Sequence, residues 1–214
     1  MTALVACQEL ARVYGHGANA LVAVHEVTCE LCPGDQVAIT GPSGSGKTTL
    51  LHLLAGLDRP TAGRIGWPAF DDRPRGRVGV VFQGPSLLPP LNVVENVALP
   101  LLIAGLTDIE AKERALAALD AIGLADLAGS LPEELSGGQA QRVAVARVLA
   151  AGPRLIVADE PTAQLDSDLA RQVVDLLTEV AYRLDAALVV ATHDLRVAAR
   201  LPKTWTMSDG ALAC

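Results

Sequence analysis

Aromatic side chains are scarce: two Trp, two Tyr and two Phe make up 3% of the 214 residues. That is too few for the stacked-base platforms that hold single-stranded nucleic acid. Positive charge is scarce as well. Lys and Arg number 17 against 24 Asp and Glu, the formal net charge is -7, and the cations form no long run. Affinity for nucleic acid needs clustered cations against phosphates, so no nucleic-acid partner is expected. Long apolar runs are missing too, although half the residues are hydrophobic and the mean hydropathy is +0.35. The longest charge-free stretch, Val78 to Val94, is broken by Pro85, Pro89 and Pro90 and by Gln83, Ser86 and Asn92. A spanning helix needs about 20 mostly apolar residues, so no direct membrane span is expected. No basic-then-apolar leader opens the chain. The expectation is a cytoplasmic protein whose apolarity reflects a buried partner surface.

Cysteine is limited to Cys7, Cys29, Cys32 and Cys214. Cys29 and Cys32 form a CxxC, but no second pair completes a zinc site. The pair lies in an alternating, strand-like run before Pro33-Gly34, where successive side chains point to opposite faces. Reduced, structural thiols are the expectation.

What is present is a regular alternation of strands and helices. Leu4 to Ile39 reads as short strands broken by turns at Gly15-His16-Gly17 and Pro33-Gly34. Val37 to Thr40 is a strand feeding a glycine-rich loop, and a helix is predicted from near Gly46 to about Leu57. Thr61 to Gly76 reads as loop with one short strand, and Val78 to Phe82 as strand. Residues 87–152 read as helical, and Thr107 with Glu110 makes a capping box. The helix it opens carries Ala111, Ala115, Leu116, Leu119 and Ile122 at helical spacing. Leu155 to Ala158 and Ala187 to Ala191 are buried strands. Asp168 to Leu184 and Asp194 to Arg200 are helices, and a hairpin turns at Ser208-Asp209-Gly210. Apolar strands alternating with helices predict an α/β fold with a mainly parallel sheet.

Three motifs carry the chemistry. Gly41-Pro42-Ser43-Gly44-Ser45-Gly46-Lys47-Thr48 matches GxxxxGK[ST] between a strand and a helix. Its glycines let backbone N–H groups converge on phosphate, and the helix N-terminus adds its positive end. Lys47 reaches the β- and γ-phosphates in this pattern, and the Thr48 hydroxyl is a Mg²⁺ ligand, with Thr49 beside it. Leu155 to Asp159 is an apolar strand ending in a carboxylate placed for the Mg²⁺ shell, and Glu160 next to it is the candidate general base. Leu135-Ser136-Gly137-Gly138-Gln139 combines a capping box with two glycines at a helix start that ends at Gly152-Pro153. That is a second anion cradle on one chain. A single nucleotide has one set of phosphates, so the second cradle is expected to serve a nucleotide held by another copy.

Together these residues resemble the nucleotide-binding subunits of ABC transporters over nearly the whole chain. The resemblance makes Gly41 to Thr48 the Walker A motif, Leu155 to Asp159 Walker B with catalytic Glu160, and Leu135 to Gln139 the signature. It implies that Gln83, in Val80-Val81-Phe82-Gln83, is the Q-loop glutamine contacting Mg²⁺ and water. It implies that His193 is the switch histidine at the γ-phosphate, that Leu165-Asp166 is the D-loop at a dimer interface, and that Tyr14 stacks on adenine. The implied fold is a P-loop NTPase, RecA-like core with a small antiparallel β subdomain and an inserted α-helical lobe. One domain then spans 1–214, with core and β subdomain in about 1–86 and 153–214 and the lobe in about 87–152. The run from Leu87 to Val97 with Leu99-Pro100-Leu101 is similar to the lipoprotein-release and macrolide-efflux branch, which also holds a cell-division ATPase. Three departures bear on partner docking: Ala163-Gln164 replaces Gly-Asn, Gly84 replaces a bulkier residue, and 63–77 is shortened.

The implied function is an ATP- and Mg²⁺-dependent ATPase that powers extrusion through a separate integral membrane permease, at the inner face of the membrane. A second ATPase subunit completes it, most simply as a homodimer. The alternative is an ATPase of a transmembrane signalling or cell-division complex. Soluble ABC proteins of translation or repair carry paired cassettes or coiled-coil insertions, which this chain lacks. A P-loop kinase would leave Ser136 to Gln139 unexplained.

Overall fold

The apolar β-branched runs of the sequence become the strands of a six-stranded sheet. The computed structural model describes residues 2–70, 74 and 76–214. In chain order the elements are β1 (Val5–Tyr14), β2 (Leu21–Leu31), β3 (Gln36–Thr40), α1 (Lys47–Leu54), β4 (Ala62–Gly66) and β5 (Val78–Val81). Then come α2 (Val93–Ile103), α3 (Asp108–Ala121), α4 (Gly137–Ala151), β6 (Leu155–Asp159) and α5 (Ser167–Arg183). The chain closes with β7 (Ala187–Thr192), α6 (Leu195–Ala198), β8 (Lys203–Ser208) and β9 (Ala211–Ala213).

The main sheet has the order β5-β6-β7-β3-β8-β9, parallel throughout except for the β8–β9 hairpin. Every residue of β7 is buried, as helices on both faces of a parallel sheet require. Asp159 pairs with Ala191 and Thr40 with Thr192, so the carboxyl ends of β6, β7 and β3 lie level. The segments starting at residues 82, 160, 193 and 41 therefore emerge along one edge, where parallel α/β sheets bind ligands. The second sheet is antiparallel, β2-β1-β4. Its strands β1 and β2 are longer than the short strands expected, running 10 and 11 residues through bulges.

Strand alternation sorts the core into layers. Leu155 and Val157 of β6 face α1, through Leu50, Leu51, Leu53 and Leu54, and the antiparallel sheet, through Leu10 and Leu31. Ile156 and Ala158 face Val173, Val174 and Leu177 of α5 and Val145 and Val148 of α4. A third cluster joins Val97 and Leu101 of α2, Ala115 and Leu119 of α3, and Val143 and Ala146 of α4. Helix α4 thus carries two apolar faces and connects the helical layer to the sheet.

Some expectations are corrected. Helix α1 ends at Leu54 rather than Leu57, because Gly56 turns left-handed at φ 70° and closes the last turn. Leu116 is exposed on α3, and Ala118 occupies the core position instead. The expectation that Cys29 and Cys32 do not form a site fits the fold, where Cys29 faces Cys7 across the β1–β2 pair. The hydrogen bond with Cys7, then burial, pushes the Cys29 thiol far above its ordinary range. Among the described residues no helix is long and apolar enough to cross a membrane.

Candidate functional site

The loop between β3 and α1 is wedged between two strands. A Cβ on Gly41 would lie 2.1 Å from the Met207 carbonyl oxygen, and one on Gly46 would lie 2.1 Å from that of Ala23. Both glycines also have positive φ, 151° and 99°, so only glycine fits. A Cβ on Gly44, by contrast, would have nothing within 4 Å among the described residues. Gly46 is the N-cap of α1 and supplies no side-chain hydrogen bond, which leaves the first amides of the helix uncapped. Lys47 is buried, and its Nζ donates to the carbonyls of Gly41 at 2.8 Å and Pro42 at 2.9 Å. The ammonium thereby holds the loop arched around its own charge. Ser43 and Thr48 are exposed. Gly44, Gly46, Lys47, Thr48 and Thr49 line one pocket with Tyr14, Leu21, Val22 and Ala23.

Two positions along the same sheet edge stands a carboxylate–imidazole pair. Glu160 follows the tip of β6 in the left-handed region, φ 46°, with its N–H donating to Ala191 O at 2.9 Å. That backbone costs about 1–2 kcal/mol for a non-glycine residue. Its Oε1 lies 2.9 Å from His193 Nδ1, just beyond β7. Against an ionised carboxylate, which only accepts, Nδ1 is the donor, and Nε2 is then an acceptor in the neutral ring or a second donor in the imidazolium. Glu160 is the more enclosed of the two, its side chain 16% exposed against 62% for His193. Buried Asp159 Oδ1 and Ser45 Oγ have no hydrogen-bond partner among the described residues. Such orphans are rare unless a ligand or ion completes them.

The second cradle is closed upon itself. Ser136 Oγ accepts from Gln139 N–H at 3.3 Å, and Gln139 Oε1 accepts from Ser136 N–H at 2.8 Å. A Cβ on Gly137 would have Leu165 Cδ2 at 4.0 Å as its nearest neighbour, whereas one on Gly138 would press Leu169 at 3.1 Å. Asp166 caps α5, accepting from the N–H groups of Asp168 at 3.0 Å and Leu169 at 2.9 Å. Gln83 is exposed just beyond β5. Its loop is tied to α4, where Gln141 Nε2 donates to Phe82 O at 3.3 Å and Arg147 donates to Ser86 O at 3.1 Å. Burial pushes the Arg147 guanidinium below its ordinary value. Tyr14 thus joins the phosphate loop, and Glu160 joins His193. The phosphate-loop pocket is lined by residues from 14 to 49, and Ser136 to Gln139 do not line it.

The ABC transporter family matches residues 24–163. This chain belongs to that family. The lipoprotein-releasing system ATP-binding protein LolD of Legionella pneumophila (strain Paris) is 39% identical, over 98% of this chain and 96% of the relative. LolD of Hydrogenovibrio crunogenus is 41% identical over 97% and 94%. The cassette MJ0796, solved as a post-hydrolysis dimer bound to ADP and Pi, superposes with a TM-score of 0.85 at 36% identity, over 98% and 97%. The chain is therefore an ABC ATPase, an ATP-binding cassette with the P-loop NTPase fold.

Sequence reading missed two groups in this cassette, Arg12 and Asp58. Tyr14 OH donates to Asp58 Oδ2 at 2.9 Å, and Arg12 Nε donates to the same oxygen at 2.8 Å. The Arg12 guanidinium also lies 4.4 Å from the Tyr14 ring centroid. The residues are 46 positions apart, and no spacing rule connects a strand to a turn beyond the next helix. The Asn92–Glu95 capping box of α2 was also missed, although its Asn-x-x-Glu pattern was visible.

Proposed function

We propose that two copies of this chain sandwich ATP, each nucleotide lying between Lys47 and Thr48 of one copy and Ser136 to Gly138 of the other. The observation that carries this reading is the Glu160–His193 pair, fixed at 2.9 Å on the strand tips beside the phosphate loop. Glu160 is the general base: its carboxylate accepts the proton of the attacking water. His193 donates through Nδ1 to that carboxylate and, in its doubly protonated form, donates from Nε2 to the γ-phosphate. Tyr14 stacks on the adenine. Gln83 contacts Mg²⁺ and water and reports to the partner.

The donor set fits Mg²⁺. Asp159 Oδ1 is an orphaned carboxylate oxygen, Thr48 offers an exposed hydroxyl, and hard oxygen ligands are what this ion takes. Thr48, Asp159 and Gln83 would hold it, and when bound it neutralises charge developing on the phosphate oxygens.

ATP closes the dimer and hydrolysis reopens it, a two-state element set by the γ-phosphate. The lobe of about 87–152 carries that motion to an integral membrane permease, which holds the chain at the inner face of the membrane. The name of the LolD relatives favours lipoprotein release as the work done, and the dimeric MJ0796 cassette supports two copies of one chain as the motor.

Glu160→Gln tests the reading. ATP binding is retained, turnover falls at least about a hundredfold, and an ATP-bound dimer accumulates in size-exclusion chromatography. Full turnover in that variant removes Glu160 from the role.

A further inference from the structure

Tyr14 is held on two sides. Its hydroxyl is fixed in the ring plane by Asp58 Oδ2, and Arg12 covers one ring face at 4.4 Å. Asp58 Oδ1 accepts from Arg59 N–H at 2.7 Å, so both carboxylate oxygens are engaged. Burial alone would raise this carboxyl, but hydrogen bonds from Arg59 N–H, Tyr14 and Arg12 outweigh it and leave Asp58 below its ordinary range. Asp58 sits in the turn after α1, its N–H directed to His52 O at 3.2 Å. The helix that presents the phosphate loop at its start therefore anchors the tyrosine at its end. With one face under a cation, the ring offers a single stacking face.

Resting on the reading of Tyr14 given above, we propose that Arg12 and Asp58 are positioning residues: they hold the ring as a one-sided platform and so set the preference for a purine base. A ring free to rotate loses part of its stacking to the entropy of being ordered on binding. The Arg12–Asp58 pair is half-buried, so its effect on binding is read separately from its effect on stability.

ATPase kinetics with ATP and with CTP test it, with unfolding midpoints measured on every variant. Asp58→Asn and Tyr14→Phe each raise the KM for ATP about threefold to tenfold, leave kcat at saturating ATP in place, and narrow the ATP/CTP ratio of kcat/KM. Tyr14→Phe keeps the ring and the packing, so it decides the matter should Asp58→Asn fail to fold. Arg12→Lys restores most of the affinity that Arg12→Leu loses. In a Tyr14→Ala background, already weakened by about tenfold or more, Asp58→Asn adds nothing. Wild-type KM in both Asp58→Asn and Tyr14→Phe overturns the positioning role alone, as does a further loss on top of Tyr14→Ala. Wild-type KM in Tyr14→Ala overturns the stacking reading and the positioning role with it.

Discussion

Two helices of this chain carry glycine at their start, as the N-cap of α1 and as the first residue of α4, yet they begin in opposite ways. At α1 the N-cap is Gly46, left-handed and without a side-chain cap, and the loop before it is packed so closely that a Cβ on Gly41 or Gly46 has no room. At α4 the N-cap is Ser136, which closes a reciprocal capping box with Gln139, and a Cβ on Gly137 would have Leu165 Cδ2 at 4.0 Å as its nearest neighbour. The first terminus is rigid and unsatisfied; the second is satisfied and uncovered. A rigid, uncapped helix start with a buried ammonium beside it binds phosphate without help. A self-capped start gains less from an anion, so it engages one only when another surface delivers it. That asymmetry is what an ATP sandwich needs: one half holds the nucleotide alone, and the other half joins later.

The comparison breaks first at Lys47. Lys47→Ala removes the cation and also frees the carbonyls of Gly41 and Pro42 that it holds. Two charge-assisted hydrogen bonds to phosphate at about 1.5–3 kcal/mol each predict an affinity loss of about a hundredfold or more. Isothermal titration with ATP checks it, and unchanged affinity rejects α1 as the self-sufficient cradle. Gly46→Ala comes next. The added methyl meets Ala23 O in a backbone at φ 99°, so the unfolding free energy should fall by about 3 kcal/mol, from left-handed strain plus overpacking. Urea denaturation measures this; a stable, ATP-binding variant would show the loop to be looser than its packing implies.

The first cradle was legible in the sequence for the same reason that it is rigid. A glycine that cannot be replaced leaves a fixed spacing, and the strand before it and helix after it are strongly patterned. The Asp159-Glu160 tip was legible because β6 is buried on both faces and reads as a continuous apolar run. The left-handed φ of Glu160 was not, since nothing in its neighbours demands it; the tertiary bond to Ala191 O does. Strand β4 was seen only as one short strand in a loop, because Ala62 to Gly66 has little β propensity and is held by pairing with β1. Leu116 misled because helical spacing admits a solvent-facing apolar residue that only packing can expose. The Arg12–Tyr14–Asp58 contact depends on where α1 ends, which is Leu54 and not the Leu57 that the sequence pattern suggests.

The second cradle yields smaller effects that sharpen the comparison. Ser136→Ala removes one half of a capping box and should lower stability by about 1 kcal/mol, read from the denaturation midpoint, while ATP affinity of the isolated chain stays unchanged. A fall in that affinity would mean that the two cradles serve one nucleotide within one chain.

Gly137→Ala should be the gentlest to the fold and the most telling about use. Its φ is not left-handed, and among the described residues the new methyl meets nothing nearer than 4.0 Å, so stability should stay within about 0.5 kcal/mol of wild type or rise slightly with the better helix former. Among the described residues that methyl obstructs nothing, so what it can obstruct is an approach from outside. If a partner's triphosphate is received there, the variant binds ATP as a single chain but dimerises poorly with ATP and turns over slowly. Gly46→Ala and Gly137→Ala then fail for contrary reasons, the one because the chain fills the space beside the glycine and the other because a partner must. Wild-type turnover and ATP-driven dimerisation in Gly137→Ala would show that nothing docks at the start of α4, and the asymmetry between the two helices would lose its functional meaning.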